Sequence, residues 1–139
     1  MGARPGSRRG PSGRRRPVSE ELGARGERLA AAHLEARGYR VLARNWRALP
    51  SRDGLRGEAD LVAEHDGRVV VVEVKTRSSL RYGHPLESIT RQKIVRLHRL
   101  AAAWARAHGR DPRVIRVDAV AITFAHDGVP EIEVLRQIQ

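Results

Sequence analysis

The residues of this chain best suited to chemistry are Asp60, Glu73 and Lys75. Glu73 and Lys75 lie in "VVVVEVKTR" (69–77), where four consecutive valines read as a strand buried on both faces. Side chains at i and i+2 of a strand share a face, so Glu73 and Lys75 point the same way, about 7 Å apart at their α-carbons. Val70, Val72 and Val74 then point to the other face, into a core. "EADLVAEH" (58–65) reads as the preceding strand, and Asp66-Gly67 as the hairpin turn between the two. Counting back from that turn places Asp60 opposite the neighbourhood of Glu73, to within a residue pair. Two carboxylates and one ammonium thus meet near the centre of a sheet.

An isolated charge in such a place is costly to desolvate. Two arrangements answer that cost. In one, Lys75 neutralises Glu73 or Asp60 as a structural ion pair. In the other, the carboxylates hold a metal. Hard divalent cations such as Mg²⁺ take oxygen ligands and keep several waters. Asp60, Glu73 and the backbone carbonyl of Val74 supply such a set, with positions left for a phosphate oxygen and a water. A lysine beside that water can orient it and offset charge developing on the phosphate.

The charge balance points to the same class of partner. The chain has 139 residues and a formal net charge of +11. Six arginines and no acid lie in "MGARPGSRRGPSGRRRPV" (1–18), which leaves +5 on the rest. That segment is too poor in apolar residues to fold, and reads as a disordered basic arm. Residues 19–139 form one domain. A basic arm on a basic body is an electrostatic footprint for nucleic acid. Only two of the 27 basic residues are lysines, Lys75 and Lys93. Where arginine is the default, a lysine supplies what arginine cannot, a compact and tunable ammonium.

Other classes are disfavoured. There is no cysteine, hence no disulfide or thiolate zinc site, as suits a reducing cytoplasm. No apolar run approaches the roughly 20 residues that cross a bilayer, and the basic N-terminus lacks the apolar stretch of a signal peptide. The six histidines (33, 65, 84, 98, 108, 126) show no HExxH spacing, and phosphate-loop and nucleophile-elbow motifs are absent. With one Phe and two Tyr, base stacking has little to work with, and Trp46 and Trp104 read as packing residues.

The elements that must hold the three residues follow from periodicity. Ser19 is a plausible cap for a first helix with Leu22, Leu29, Ala32 and Ala36 as its apolar stripe, ended by Gly38. "YRVLARNW" (39–46) is a strand and 47–57 a turn-rich loop. The two strands already described follow. A second helix runs from about Thr90 to Gly109, with Ile94, Leu97, Ala101 and Trp104 on one face. "RVIRVDAVAITF" (113–124) is a strand, and a last strand holding Pro130 belongs at an edge. Helix, three strands, helix and returning strand make an α/β fold, a mixed central sheet flanked by helices.

"GEADLV" (57–62) followed by "VVVEVKTR" (70–77) resembles the PD-(D/E)xK nuclease superfamily, in which an aspartate ends one strand and Glu-x-Lys lies on the next. More narrowly, "GERLAAAHLEARGYRVLARNWR" (26–47), "GEADLV", "VEVKTR", "ITRQK" (89–93) and "RVDAVAI" (116–122) resemble the YraN family, uncharacterised protein family 0102. The likeness runs from about residue 19 to 124. It implies a restriction-endonuclease-like αβββαβ core, close to Holliday junction resolvases. It also implies Mg²⁺ or Mn²⁺ on Asp60, Glu73 and the Val74 carbonyl, with Lys75 as the catalytic lysine. Glu27 becomes an extra acid brought to the metal; by itself it would read as a solvated helix carboxylate. Arg77, Gln92 and Lys93 become residues facing nucleic acid, and Glu58 is either a supporting carboxylate or a surface charge.

Two features depart from the family: an inserted "ALPSRDGL" before "GEADLV", and Arg116-Val117-Asp118 where Arg-Phe-Asp is usual. Arg116 and Asp118 share a strand face and can pair with each other. The function expected is a metal-dependent endonuclease acting on DNA; the alternative is a nucleic-acid-binding protein on a nuclease fold, without turnover. Resolvase-like cutting of two strands would need a two-fold homodimer.

Overall fold

Asp66 and Gly67 turn the chain with φ of 52° and 74°, the two left-handed residues that a type I′ hairpin requires. The computed structural model describes residues 18–78, 83–124 and 128–139. The arm expected over 1–18 therefore lies, but for Val18, outside the described residues. In order come α1 (Val18–Glu35), β1 (Arg40–Ala48), α2 (Pro50–Asp53), β2 (Gly57–His65), β3 (Arg68–Arg77), a 3-10 turn (Pro85–Ser88), α3 (Arg91–Ala107), β4 (Ile115–Phe124) and β5 (Pro130–Leu135). Within the loop expected at 47–57, Pro50 opens the single turn of α2, as its fixed φ allows. No helix among the described residues is long and apolar enough to cross a membrane.

The strands form one sheet in the order β1-β2-β3-β4-β5. β1, β2 and β3 are an antiparallel meander. α3 crosses over to bring β4 parallel to β3, and β5 returns antiparallel at the edge, with Pro130 as its first residue. This is the mixed α/β architecture expected, with an αβββαβ core. Each face of β3 feeds a separate core. Val70 and Val72 pack with Ala30, Ala31 and Leu34 of α1. Val69 and Val71 pack with Leu97, Leu100 and Trp104 of α3. Leu97 and Leu100 are fully buried, and burial of each contributes about 1.5–3 kcal/mol.

The stripe of α1 is rotated from the expected one. Ala30, Ala31 and Leu34 face the sheet, whereas Ala32 and Ala36 are exposed. The cause is a close approach at Gly26, where an added Cβ would lie 1.9 Å from Cγ2 of Thr76 on β3. A glycine lets the helix backbone touch the strand, and the helix rotates to make that contact. Gly26→Ala is expected to lose about 1–3 kcal/mol, the usual cost of overpacking. Thermal melts should show the loss, and Thr76→Ala in the same chain should restore much of it. A Gly26→Ala protein as stable as wild type would mean that this contact does not set the seat of the helix.

Arg116 and Asp118 do pair, within a larger buried network. Arg116 donates to both carboxylate oxygens of Asp118 at 2.9 Å and to Nδ1 of His65 at 2.8 Å. Tyr39 donates its hydroxyl to Asp118 at 2.6 Å and stacks on His65 at 4.0 Å. Burial, and the hydrogen bond to Asp118, push the Tyr39 hydroxyl up to about 12. The backbone N–H of Gln137 also donates to Asp118, at 3.0 Å, which ties down the C-terminal segment.

Candidate functional site

The β2–β3 ladder runs from His65 opposite Arg68 to Leu61 opposite Val72. One further step in the same register would set Asp60 against Glu73, within the placement expected from the turn. That step is not made by backbone pairing. Oδ2 of Asp60 instead accepts the N–H of Val74 at 2.8 Å, so a side chain takes the place of the ladder and the two strands part. β2 also turns over here. Ala59 and Leu61 are two residues apart and should share a face, yet Ala59 packs in the α3 layer and Leu61 in the α1 layer. On β1, Arg44 pairs with Leu61 and Trp46 with Ala59. Asn45 between them has φ 50°, so both strands are distorted at the level of Asp60.

Glu73 enters this gap from β3 and is only 4% exposed. Lys75 and Lys93 both place Nζ 3.3 Å from its Oε2. These are the two lysines of the chain. Their side chains keep 30% and 41% exposure, so each reaches from the acid to the surface. Lys93 is held there by the start of α3, where Thr90 caps the helix by accepting the Lys93 N–H at 3.1 Å. Asp60 has no cation within ion-pair distance among the described residues. Burial, then the charge of Glu73, push its carboxyl up to about 7; the Val74 N–H and Lys93 pull the other way, and Glu27 adds to the rise.

Glu27 follows Gly26, so the close approach of α1 to β3 delivers it to the same end of the sheet. Its carboxyl is held above the ordinary range by burial and the charge of Glu58, and further by Glu73, while a hydrogen bond with Asn45 opposes the rise. Three acids from three elements therefore feel one another. Glu58 is exposed and pairs with Arg47 at 3.4 Å. Arg77 ends β3, half-buried, opposite Thr123. Gln92 is exposed on the first turn of α3. Val74 gives its N–H to Asp60 and packs its side chain against the α1 core.

Sequence reasoning placed Lys93 toward nucleic acid and did not connect it with Glu73. Its one available sign was its rarity among 25 arginines. Asn45 carried no sign at all, since its part depends on a backbone distortion.

No group of three His, Cys, Asp or Glu side chains among the described residues forms a ready metal cage. Mg²⁺ does not require one, because it commonly takes one or two carboxylates, substrate phosphates and water. Asp60 and Glu73 suit that pattern. The donors are oxygens, and Asp60 is a half-buried acid whose pKa is raised first by desolvation and then by the negative charge of Glu73, the imbalance that a cation relieves.

The model of the uncharacterised protein family UPF0102 matches residues 26–122. The chain belongs to this family. A UPF0102 protein of Renibacterium salmoninarum is 51% identical over 116 residues, covering 84% of this chain and 93% of the relative. One from Clavibacter michiganensis subsp. michiganensis is 47% identical over 117 residues, covering 84% and 94%. One from Beutenbergia cavernae is 47% identical over 121 residues, covering 87% and 98%. The UPF0102 match begins at Gly26, where α1 touches β3, and takes in Glu27, Asp60, Glu73, Lys75 and Lys93. The arm and β5 lie outside it.

Proposed function

We propose that this UPF0102 protein is a metal-dependent phosphodiesterase of the PD-(D/E)xK type that cuts DNA. One observation carries the proposal: β2 and β3 part at Asp60 and Glu73, and both lysines of the chain gather on Glu73 in that gap. Asp60 and Glu73 would hold Mg²⁺ or Mn²⁺, with the Val74 carbonyl as a third oxygen and Glu27 in support. When bound, the ion supplies positive charge to a phosphate oxygen. Lys75, half-buried with its Nζ at Glu73, donates to the attacking water and offsets charge growing on the phosphate. Lys93 balances Glu73 from the side of α3. Surface arginines hold the backbone without reading sequence.

A second reading has its own observation. Glu73 already faces two ammonium groups, an ion triad complete without a metal, as in a non-catalytic nucleic-acid-binding protein. Cleavage of labelled duplex, single strand, flap and four-way junction with Mg²⁺ or Mn²⁺ separates the two. Cutting by wild type and not by the Glu73 variant is expected. No cutting of any substrate, with gel shifts intact, would favour the binding protein. Light scattering would test the dimer that symmetric cutting needs.

Asp60 gives a test that needs no turnover. Its folded-state pKa is raised from the ordinary 3.8 to about 7, so the fold favours the neutral acid. Its contribution to stability is whole below pH 3.8 and is lost as pH rises to about 7. Asp60→Asn keeps an acceptor for the Val74 N–H and carries no charge. It is expected to be more stable than wild type at pH 8 by about 2–4 kcal/mol, an advantage that shrinks toward pH 4. Mn²⁺ should raise the melting temperature of wild type at pH 8 and leave Asp60→Asn nearly unmoved. Equal shifts in both proteins would remove Asp60 from the metal site.

A further inference from the structure

The inserted segment before β2 and the outer face of α3 enclose a groove of about 730 Å³. Its walls carry Arg56 from the insertion side and Arg91, Arg96 and Arg99 from α3, above a floor of Leu55 and Val95; no acid lines it. Among the described residues, none of the four arginines has a carboxylate within ion-pair distance, whereas Arg40, Arg47, Arg52, Arg110, Arg113 and Arg116 each have one. Four unbalanced guanidinium groups in one concave surface repel one another. Such a groove costs stability unless an anion fills it.

We infer that this groove holds the phosphate backbone of the nucleic acid on the strand running out from the site. This deepens the proposed function and rests on it. Residues 91 to 99 span about 12 Å of helix, enough for three or four phosphates at about 3.4 Å of axial rise per nucleotide. The near end of the groove is Arg91 and Gln92, directly beside Lys93, which touches Glu73. The first turn of α3 thus joins the two, and a strand whose phosphate lies at Glu73 would pass along that turn to reach the groove. Guanidinium forks suit phosphate oxygens, and Gln92 is the one uncharged polar side chain in the lining.

The insertion is built to stand as a wall. Asp53 accepts the Leu49 N–H at 2.8 Å and pairs with Arg52 at 2.8 Å. Gly54 closes the turn at φ 74° and donates its N–H to the Pro50 carbonyl. The segment that departs from the family thus becomes one bank of a binding track. Leu55 and Arg56 at its end bring the apolar floor and the first charge.

The test uses the full chain, a fluorescein-labelled 30-base-pair duplex and anisotropy without divalent metal, across a salt series. The triple variant Arg91→Gln, Arg96→Gln, Arg99→Gln should bind at least about tenfold more weakly. Its slope of log K against log salt should be shallower by about 2–3, near 0.9 per lost phosphate contact. All three residues are exposed, and circular dichroism should show an unchanged fold. A charge-matched control, Arg37→Gln, Arg113→Gln, Arg136→Gln, should change both quantities far less. Equal effects of the two triples, or an unchanged slope, would overturn the groove. Equal displacement of DNA by charge-matched poly-glutamate would assign the groove to an acidic protein and overturn it as well. The two proposals fail separately. If wild type cuts nothing but the groove triple loses binding, the groove stands without the nuclease. If wild type cuts and the triple binds as before, the nuclease stands without the groove.

Discussion

Glu73→Ala is expected to remove metal-dependent cleavage, by about 10³-fold or more, with DNA affinity held within a few-fold of wild type. The size of the loss follows from what the carboxylate is proposed to do. It holds the cation and sets the position of Lys75, so its removal takes away two sources of charge stabilisation at once, each worth about 10²–10³. Affinity survives because binding rests on arginines, and removal of a negative charge from a phosphate site does not weaken it. The fold should also survive. Lys75 and Lys93 lose a partner, but they keep 30% and 41% of their side-chain surface and can turn to water. Glu73→Gln fills the same space and should be as inactive, which separates charge from packing. Residual cutting within tenfold of wild type would rule out Glu73 as a ligand. Unfolding of Glu73→Ala would instead make the triad a structural bridge.

Asp118→Ala should have the opposite profile, a large loss of stability from a site with no part in the chemistry. Asp118 is fully buried and Arg116 nearly so. Arg116 meets Asp118 through two parallel hydrogen bonds, and the Tyr39 hydroxyl and the Gln137 N–H also end on that carboxylate. Without it, the guanidinium stays buried beside Tyr39 and His65 with the exposed Asp66 carboxylate 4.0 Å away, and two donors lose their acceptor. Breaking a buried pair from one side costs about 3–5 kcal/mol, a large share of the roughly 5–15 kcal/mol that holds most domains. Urea melts would measure it. Replacing both partners, Arg116→Met with Asp118→Leu, should cost less than Asp118→Ala alone, because no charge is left stranded. A single variant within about 1 kcal/mol of wild type would mean that water reaches Arg116 once the acid is gone.

These two acids show how far the sequence can be read. Both lie in strands, and both have a basic residue two positions away. Spacing therefore assigned each a partner on its own face, and both pairs form. What differs is what else arrives. Tyr39 and Gln137 come to Asp118, and His65 to its partner Arg116, from three other parts of the chain. Their arrival turns a plausible surface pair into a sealed network. Lys93 comes to Glu73 across the 19 residues between them, on a helix whose face could not be related to the sheet by periodicity alone.

The sequence by itself determined the local elements and the pairing across the hairpin. Apolar alternation sets which side of a strand is buried, and Asp66-Gly67 fixes the register within a step. Those two facts bring Asp60 to Glu73, and family membership follows from the same motifs. Only the tertiary structure decided where β2 and β3 part, which face of α1 meets the sheet, and where Lys93 ends. The parting depends on Asp60 capturing the Val74 N–H in place of a backbone partner. The seat of α1 depends on one glycine against Thr76. Both are contacts between residues 14 or more positions apart. Local propensity is silent about them, because their energy exists only once the layers have packed.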